Sequence, residues 1–285
     1  MLKSLIALVK QWLFPTLGIS LRRYDGVESS SADIGRRYCD PPHVRPHFAL
    51  KPLANTSYSN SITLFTVTTD QGTLEQVVYY GHLALVTLCK HFTFHTVLDI
   101  GSCEQNASRI FRHLGKHTTT VEILPGYEAD YHADYLSVTL PQPMDAIWCS
   151  HVLEHQRNPG LFLDKVYDDL KEGGILALTV PYQVDSSLCL GHCNLFSPLL
   201  LLYHLICAGF DCRQASLRVY NGQISVLLKK VPNTLKRRAS FAYMPSPANQ
   251  YVDTIDYAPE LLTYFPVAIS GTIHRQPIQA INWPK

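Results

Sequence analysis

The sequence predicts an α/β fold: a doubly wound sheet, mostly parallel with an antiparallel last strand, helices on both faces, and extensions at both ends. Two observations carry this. From Val97 to Phe210, short apolar runs alternate with longer segments of helical period, the order that puts parallel strands beneath covering helices. Further on, "CRQASLRVY" and "GQISVLLKK" flank Asn221-Gly222, a dipeptide that favours a two-residue hairpin turn, so these last strands are antiparallel neighbours.

The elements follow in order. In "MLKSLIALVKQWLF", Leu2, Leu5, Ile6, Val9 and Leu13 recur at helical spacing, with Lys3 and Lys10 elsewhere on the wheel. This amphipathic helix is expected to pack on the protein's own body or a second subunit, with peripheral contact to a membrane surface as the other reading. Interrupted by Lys10 and followed by no small-residue cleavage site, it reads neither as a signal peptide nor as a span. Residues 26–60, rich in Ser, Pro, Asn and Arg, read as loop-rich cover. Leu74–Phe92 is expected to be a helix, since apolar residues recur at three and four without a proline.

The core then runs "TVLDI" (strand), "NASRIFRHLGK" (helix), "TTTVEIL" (strand), a short third strand near "HADYL", and "MDAIWCS" (strand). "PGLFLDKVYDDLKEGG" is expected to be a helix stopped by Gly173 and Gly174, followed by the strand "ILALTVP". "SPLLLLYHLICAGF" is a helix with Ser197 as N-cap, Pro198 at the first position and Gly209 as stop. The expected domains are therefore 1–72 as N-terminal helix and cover, 73–231 as the core, and 232–285 as a proline- and tyrosine-rich extension on the core.

The chain has 285 residues, 46% of them apolar and 16% charged, with a net charge of +1. That describes one sizeable globular core and gives no support to a nucleic-acid partner. The eight cysteines are scattered, several within apolar runs, which fits a reducing, cytoplasmic compartment. "CLGHC", Cys189 to Cys193, lacks a familiar zinc spacing, and no second pair answers it.

In an open parallel sheet, ligands sit beyond the carboxyl ends of the strands, so the residues after each strand matter most. After the first come Asp99, Gly101 and Ser102; Gly101, lacking a Cβ, lets backbone approach a ligand. Glu122 ends the second strand, twenty-three residues beyond Asp99, a spacing suited to a carboxylate that accepts hydrogen bonds from ribose hydroxyls. Asp134 and Tyr135 follow the third strand as adenine contacts, with a turn-capping role as the plainer reading of Asp134. "SHVLEH", Ser150 to His155, follows the fourth.

These segments together resemble the class I S-adenosylmethionine-dependent methyltransferases. "VLDIGS", "VEI", "HADYL" and "MDAIWCSHVLEHQRNPGLFLDKVYDDLKEGGILALTVP" match that family's motifs in order and spacing, over about residues 74–230. The resemblance implies S-adenosyl-L-methionine as cofactor. Asp99, Gly101 and Ser102 would shape the loop around its methionine part, Glu122 would hold the ribose, and Asp134 and Tyr135 would flank the adenine. Ser150 and His151 would border the sulfonium. The family usually reads Asp-x-Gly-x-Gly-x-Gly; here Cys103 and Gln105 replace the second and third glycines. Where such a position needs positive φ, a non-glycine residue costs roughly 1 kcal/mol or more.

The expected activity is methyl transfer to a small-molecule or glycan-type acceptor, at oxygen, by direct displacement; the alternative is a catalytically silent fold used for binding or assembly. A hydroxyl acceptor needs a base, and His192 and His151 are the candidates, while His155 is expected to make a structural hydrogen bond. His151, Glu154 and His155 also stand at i, i+3 and i+4, a spacing that can bind a metal. Some relatives hold a divalent ion with Glu-x-x-Glu-His, but His151 occupies the first glutamate position, and no metal is assigned.

Overall fold

The computed structural model describes residues 45–53, 62–182, 189–232, 263–266 and 278–284. The N-terminal amphipathic segment, Cys39 and most of the tail after 232 lie outside them. No helix among the described residues is long and apolar enough to cross a membrane.

Three antiparallel strands come first: β1 (His47–Pro52), β2 (Thr63–Thr69) and β3 (Gly72–Val78), in spatial order 1-2-3. Here the structure corrects the sequence reading twice. The cover contains strand at β1, and the expected helix at 74–92 begins only at His82, as α1 (His82–His91). "LEQVV" fits either period; what decides is its pairing with β2, Leu74 opposite Val67 and Val78 opposite Thr63.

The main sheet contains β4 (Thr96–Ile100), β5 (His117–Glu122), β6 (Tyr131–His132), β7 (Met144–Ser150), β8 (Leu170–Pro181), β9 (Ser216–Tyr220), β10 (Gln223–Lys229) and β11 (Ala280–Ile281), in the order 11-9-10-8-7-4-5-6. Strands β6, β5, β4, β7 and β8 pair in parallel, and β10 runs antiparallel to both β8 and β9. This is the expected doubly wound sheet with its reversed last strand. Asn221 (φ 46°) and Gly222 (φ 70°) supply the two left-handed residues of the β9–β10 turn. β11, from the C-terminal segment, extends the sheet beside β9.

Alternation buries both faces. Val97, Ala146, Trp148 and Ala177 join α1 and α2 (Asn106–His113) with Phe65 and Val67 of the small sheet. Leu98, Ile147, Cys149 and Leu178 join α3 (Pro159–Asp169) and α4 (Pro198–Cys207) on the other face. Ser197 caps α4 as expected, its hydroxyl accepting from Leu200 N–H, with Pro198 at the first turn.

A further correction concerns the glycine pair. Helix α3 ends at Asp169, and Leu170–Gly174 already belong to β8. The backbone there is satisfied as strand: Gly173 N–H donates to Lys230 O, and Lys230 N–H to Gly174 O, each at 2.8 Å.

Candidate active site

The loop after β4 keeps the backbone of a three-glycine turn with only the first glycine in place. Gly101, Cys103 and Gln105 all have positive φ, at 74°, 42° and 58°. Gly101 is required on a second count, since a Cβ there would stand 2.4 Å from Val152 Cγ2. The loop is tied to β5: Gly101 and Ser102 N–H both donate to Val121 O, at 2.9 and 3.3 Å. Gln105 turns its amide onto its own helix and the neighbouring loop, donating to Glu128 O and accepting from Arg112. Asp99 is buried and accepts from the Ser108 hydroxyl at 2.5 Å, which holds α2 to the strand end. Burial pushes its carboxyl up to about 6, against the pull of Ser108 and Arg112.

Glu122 is buried at the end of β5, facing that loop. Its Oε2 accepts from Cys103 N–H and its Oε1 from Leu124 N–H, each at 2.8 Å. The Cys103 thiol lies beside the same carboxylate. Although Cys103 is exposed as a residue, desolvation of the thiol and the adjacent carboxylate push it up to about 12, so it stays protonated. Carboxylate oxygens offer about four acceptor directions, so Glu122 keeps capacity for an outside hydroxyl. Tyr79, Tyr127, Ile123 and Leu124 stand around this mouth, Ile123, Leu124 and Tyr79 being exposed.

The third strand end is different. Asp134 N-caps a single 3-10 turn (Tyr135–Ser137), its carboxylate accepting from Leu136 N–H at 3.0 Å, which is the plainer role weighed for it. Tyr135 is in the core, its ring edge-on to Phe162 and its hydroxyl donating to Asp169 at 2.7 Å. The structure therefore gives Tyr135 a packing position rather than an open ring face.

Past β7 the chain turns sharply. His151 has φ 57°, a strained setting for a non-glycine residue, and its N–H donates to Thr179 O at 2.9 Å. Its ring stacks on Tyr80, with centroids 3.9 Å apart and planes at 27°. Tyr80 is brought there by Gly81 (φ 70°), which passes so close to β7 that a Cβ would meet Trp148 at 2.8 Å and Ser150 Oγ at 3.1 Å. His151 Nδ1 lies 3.2 Å from Oε1 of the fully buried Glu154, close but not aligned as a hydrogen bond. His151 Nε2 is buried and has no hydrogen-bond partner, and the same holds for Ser102 Oγ and Ser150 Oγ.

His192 reaches the same turn from a later loop. Cys193 and Asn194 N–H donate to Glu154 O at 2.7 and 3.1 Å, so the backbone pins the two segments together. Its Nδ1 is buried and unpartnered, and desolvation lowers its pKa. His155 makes a structural hydrogen bond, its Nδ1–H donating to Gly191 O at 2.8 Å.

The structure thus groups Gly101, Ser102 and Glu122 at one end of the crevice and Ser150, His151 and His192 along the next strand ends, while Asp134 and Tyr135 are occupied elsewhere. Sequence reasoning missed two features. Tyr80 is a stacking plate for His151, which nothing in its run of the sequence signals. Glu154 stands in the sequence as part of an i, i+3, i+4 set, and it is the buried hub between three imidazoles; its signal is a glutamate set between two histidines in "HVLEH".

The crevice fits the adenosyl cofactor at this level: a backbone loop of positive φ, a buried carboxylate with spare acceptor capacity, and orphaned hydroxyls at two strand ends. A family model described as a methyltransferase domain matches residues 76–215. No curated protein matches significantly. Among solved structures, the chain is similar to the 1,6-didemethyltoxoflavin-N1-methyltransferase of Burkholderia thailandensis, solved with 1,6-didemethyltoxoflavin and S-adenosylhomocysteine, at 16% identity and TM-score 0.45, over 53% of this chain and 77% of that one. It is similar to an S-adenosylmethionine-dependent methyltransferase from Archaeoglobus fulgidus at 16% identity and TM-score 0.41, over 53% and 94%. It is also similar to the [4+2]-cyclase SpnF at 15% identity and TM-score 0.45, over 54% and 82%. Taken with the sheet order and the reversed β10, the family match shows a methyltransferase domain of the class I S-adenosylmethionine-dependent fold over residues 76–215.

Proposed function

We propose that the protein is an active methyltransferase that transfers a methyl group to oxygen on a small-molecule or glycan-type acceptor. S-adenosyl-L-methionine, when bound, supplies a methyl group already activated on a sulfonium. Gly101, Ser102 and the backbone of 103–105 hold the amino-acid end of the crevice, and Glu122 accepts from ribose hydroxyls. The Ser102 and Ser150 hydroxyls supply polar contacts that they do not make within the described protein.

The observation that carries the catalytic part is His151. Its Nε2 is buried without a hydrogen-bond partner at the end of β7, while Nδ1 sits beside the buried Glu154 carboxylate and Tyr80 stacks on the ring. That is the arrangement of a base oriented by a carboxylate: Nδ1 keeps its proton toward Glu154, and Nε2 receives the acceptor's hydroxyl proton. His192, lowered by desolvation and so neutral, is the second candidate base, with Nδ1 as the accepting atom. Tyr80 at the rim supplies an aromatic surface for the acceptor, and alignment of the reacting atoms contributes several kcal/mol. We read the protein as cytoplasmic, in keeping with seven described cysteines that form no disulfide with one another, with any peripheral membrane contact made through the N-terminal helix and with no nucleic-acid partner.

One observation favours the silent alternative: Cys103 N–H already donates to Glu122, the group that must hold the ribose, and the Cys103 thiol lies beside the same carboxylate. The readings separate on transfer of label from methyl-labelled cofactor to a panel of hydroxyl-bearing small molecules and glycans. Label moving with wild type and not with His151→Ala supports the enzyme; no transfer to any hydroxyl acceptor, with label moving to amines or thiols instead, would reject oxygen as the target.

A further inference from the structure

We propose that Gln223, the first residue of the reversed strand β10, is a positioning residue for methyl transfer: it fixes the Tyr80–Gly81 turn and, through Tyr80, the ring of His151. The inference rests on the reading of His151 as the base.

Topology brings Gln223 to the site. The parallel strands end at the crevice, and β10, running the other way, begins there, with Gln223 opposite Pro181, the last residue of β8. Side chains alternate along a strand, so Gln223, Ser225 and Leu227 share one face. Leu227 packs in the core with Ala84, Leu85 and Leu88 of α1, the helix that follows Gly81. Gln223 therefore meets the start of that helix, and its Oε1 accepts from Gly81 N–H at 3.0 Å in a buried contact.

That bond holds the residue that decides where Tyr80 goes. Gly81 stands at φ 70° against β7, with no room for a Cβ beside Trp148. Tyr80 is exposed, so the anchoring of its backbone matters more than packing around its ring. Tyr220, opposite Gln223 in the hairpin, meets His82 edge-on at 5.2 Å and braces the same turn from its other side in sequence. The backbone of His151 leads to the same strand: its N–H donates to Thr179 O, and Thr179 Oγ1 shares a hydrogen bond of 2.8 Å with Ser225 Oγ. Ring and backbone of the base thus both rest on β10.

The residue type argues for more than packing. Burying a primary amide is costly unless its polar atoms are paired, and Gln223 is buried with Nε2 lacking a hydrogen-bond partner. A methionine would remove that donor, but it would leave Gly81 N–H without its acceptor. The strand carries the unsatisfied nitrogen and keeps the bond.

The test reads the stack before it reads activity. A tyrosine ring lying 3.9 Å from an imidazole, nearly face to face, shifts the imidazole proton resonances upfield. With isotope-labelled histidine, the His151 signal is the one that His151→Ala removes, and Tyr80→Leu gives its unstacked position. The expected result is that Gln223→Met moves the signal at least halfway to that position, while Gln223→Glu, which keeps an accepting oxygen, leaves it in place. In label transfer from S-adenosyl-L-methionine to the best hydroxyl acceptor of the panel, Gln223→Met lowers kcat about three- to tenfold with cofactor KM unchanged, Gln223→Glu restores it, and Gln223→Met adds nothing to Tyr80→Leu. If Gln223→Met does not fold, Gln223→Asn, one methylene shorter, takes its place. An unmoved His151 signal overturns the proposal, as does a loss of kcat that multiplies with that of Tyr80→Leu, the mark of a merely structural role. Wild-type kcat in Gln223→Met beside an inactive His151→Ala leaves the base standing and overturns the positioning role alone. Wild-type transfer by His151→Ala overturns the base reading itself, and the proposal with it.

Discussion

Cys103 N–H donates to Glu122 Oε2 at 2.8 Å while Cys103 itself sits at φ 42°. The bond explains how a loop without its usual glycines keeps a glycine-like shape. A charge-assisted hydrogen bond to a buried carboxylate contributes about 1.5–3 kcal/mol, more than the roughly 1 kcal/mol that a left-handed non-glycine residue costs. Cofactor geometry and side-chain strain therefore coexist at this turn.

That balance predicts the effect of restoring glycine. Cys103→Gly and Gln105→Gly each remove strain, and the first also removes the thiol from Glu122. Each should raise unfolding free energy by up to about 1 kcal/mol, and together they should tighten cofactor binding about tenfold. Urea denaturation and calorimetry measure the two effects. Unchanged affinity would mean that the loop was never the weak point.

Gly101→Ala should act in the opposite direction. The new Cβ meets Val152 at 2.4 Å and the residue stays at φ 74°, so a loss of about 2–4 kcal/mol is expected in denaturant unfolding. Adding Val152→Ala should recover the steric part and leave the backbone part.

His151→Ala is expected to lower kcat by about 10²- to 10⁴-fold while leaving cofactor affinity within a few-fold of wild type. Tyr80→Leu removes the stacking plate but not the base, so its loss in kcat should be much smaller, with KM rising as the rim changes. Steady-state kinetics on any accepted substrate separates them. If both variants lose affinity for the cofactor equally, the acceptor-side roles given to these residues fail.

Asp99 and His82 give stability opposite slopes against pH. Asp99 is pushed by burial from 3.8 up to about 6, so its folded-state penalty is absent below about pH 4 and complete above about pH 6. His82 is pushed by burial from 6.5 down to about 4; its contribution is complete above 6.5 and lost as pH falls through 4. Each is worth roughly 3 kcal/mol, so they largely cancel in wild type between pH 4 and 6. In Asp99→Asn only the histidine slope remains, and stability relative to wild type should rise by about 3 kcal/mol across that window. Urea midpoints from pH 4 to 7 check this; a constant difference would place the Asp99 carboxyl at its ordinary value when folded.

Much of the fold was legible because its signals are local. Buried runs such as "TVLDI" and "MDAIWCS" have no other use, and Asn221-Gly222 names its own turn. The misses are non-local. Leu74–Val78 fits two periods, and only β2 beside it decides for strand; Leu170–Gly174 is strand because β10 ends where its backbone needs partners. The site divides in the same way. Glu122, Ser150 and His151 followed from their positions after strands. The stacking of Tyr80 on His151 and the meeting of His192 with Glu154 join segments far apart in sequence, and no spacing announces them. The packing of Tyr135 on Phe162 and its bond to Asp169 were not legible either, because a tyrosine after a strand serves a core as readily as a crevice.

The central claim is that the crevice beside Glu122 still binds the cofactor. Calorimetric titration with S-adenosylmethionine tests it most directly. The account predicts one molecule bound per chain, with affinity lowered at least about tenfold in a folded Glu122→Ala variant. No saturable binding to the wild-type protein at millimolar cofactor would contradict it and leave the fold as a silent scaffold.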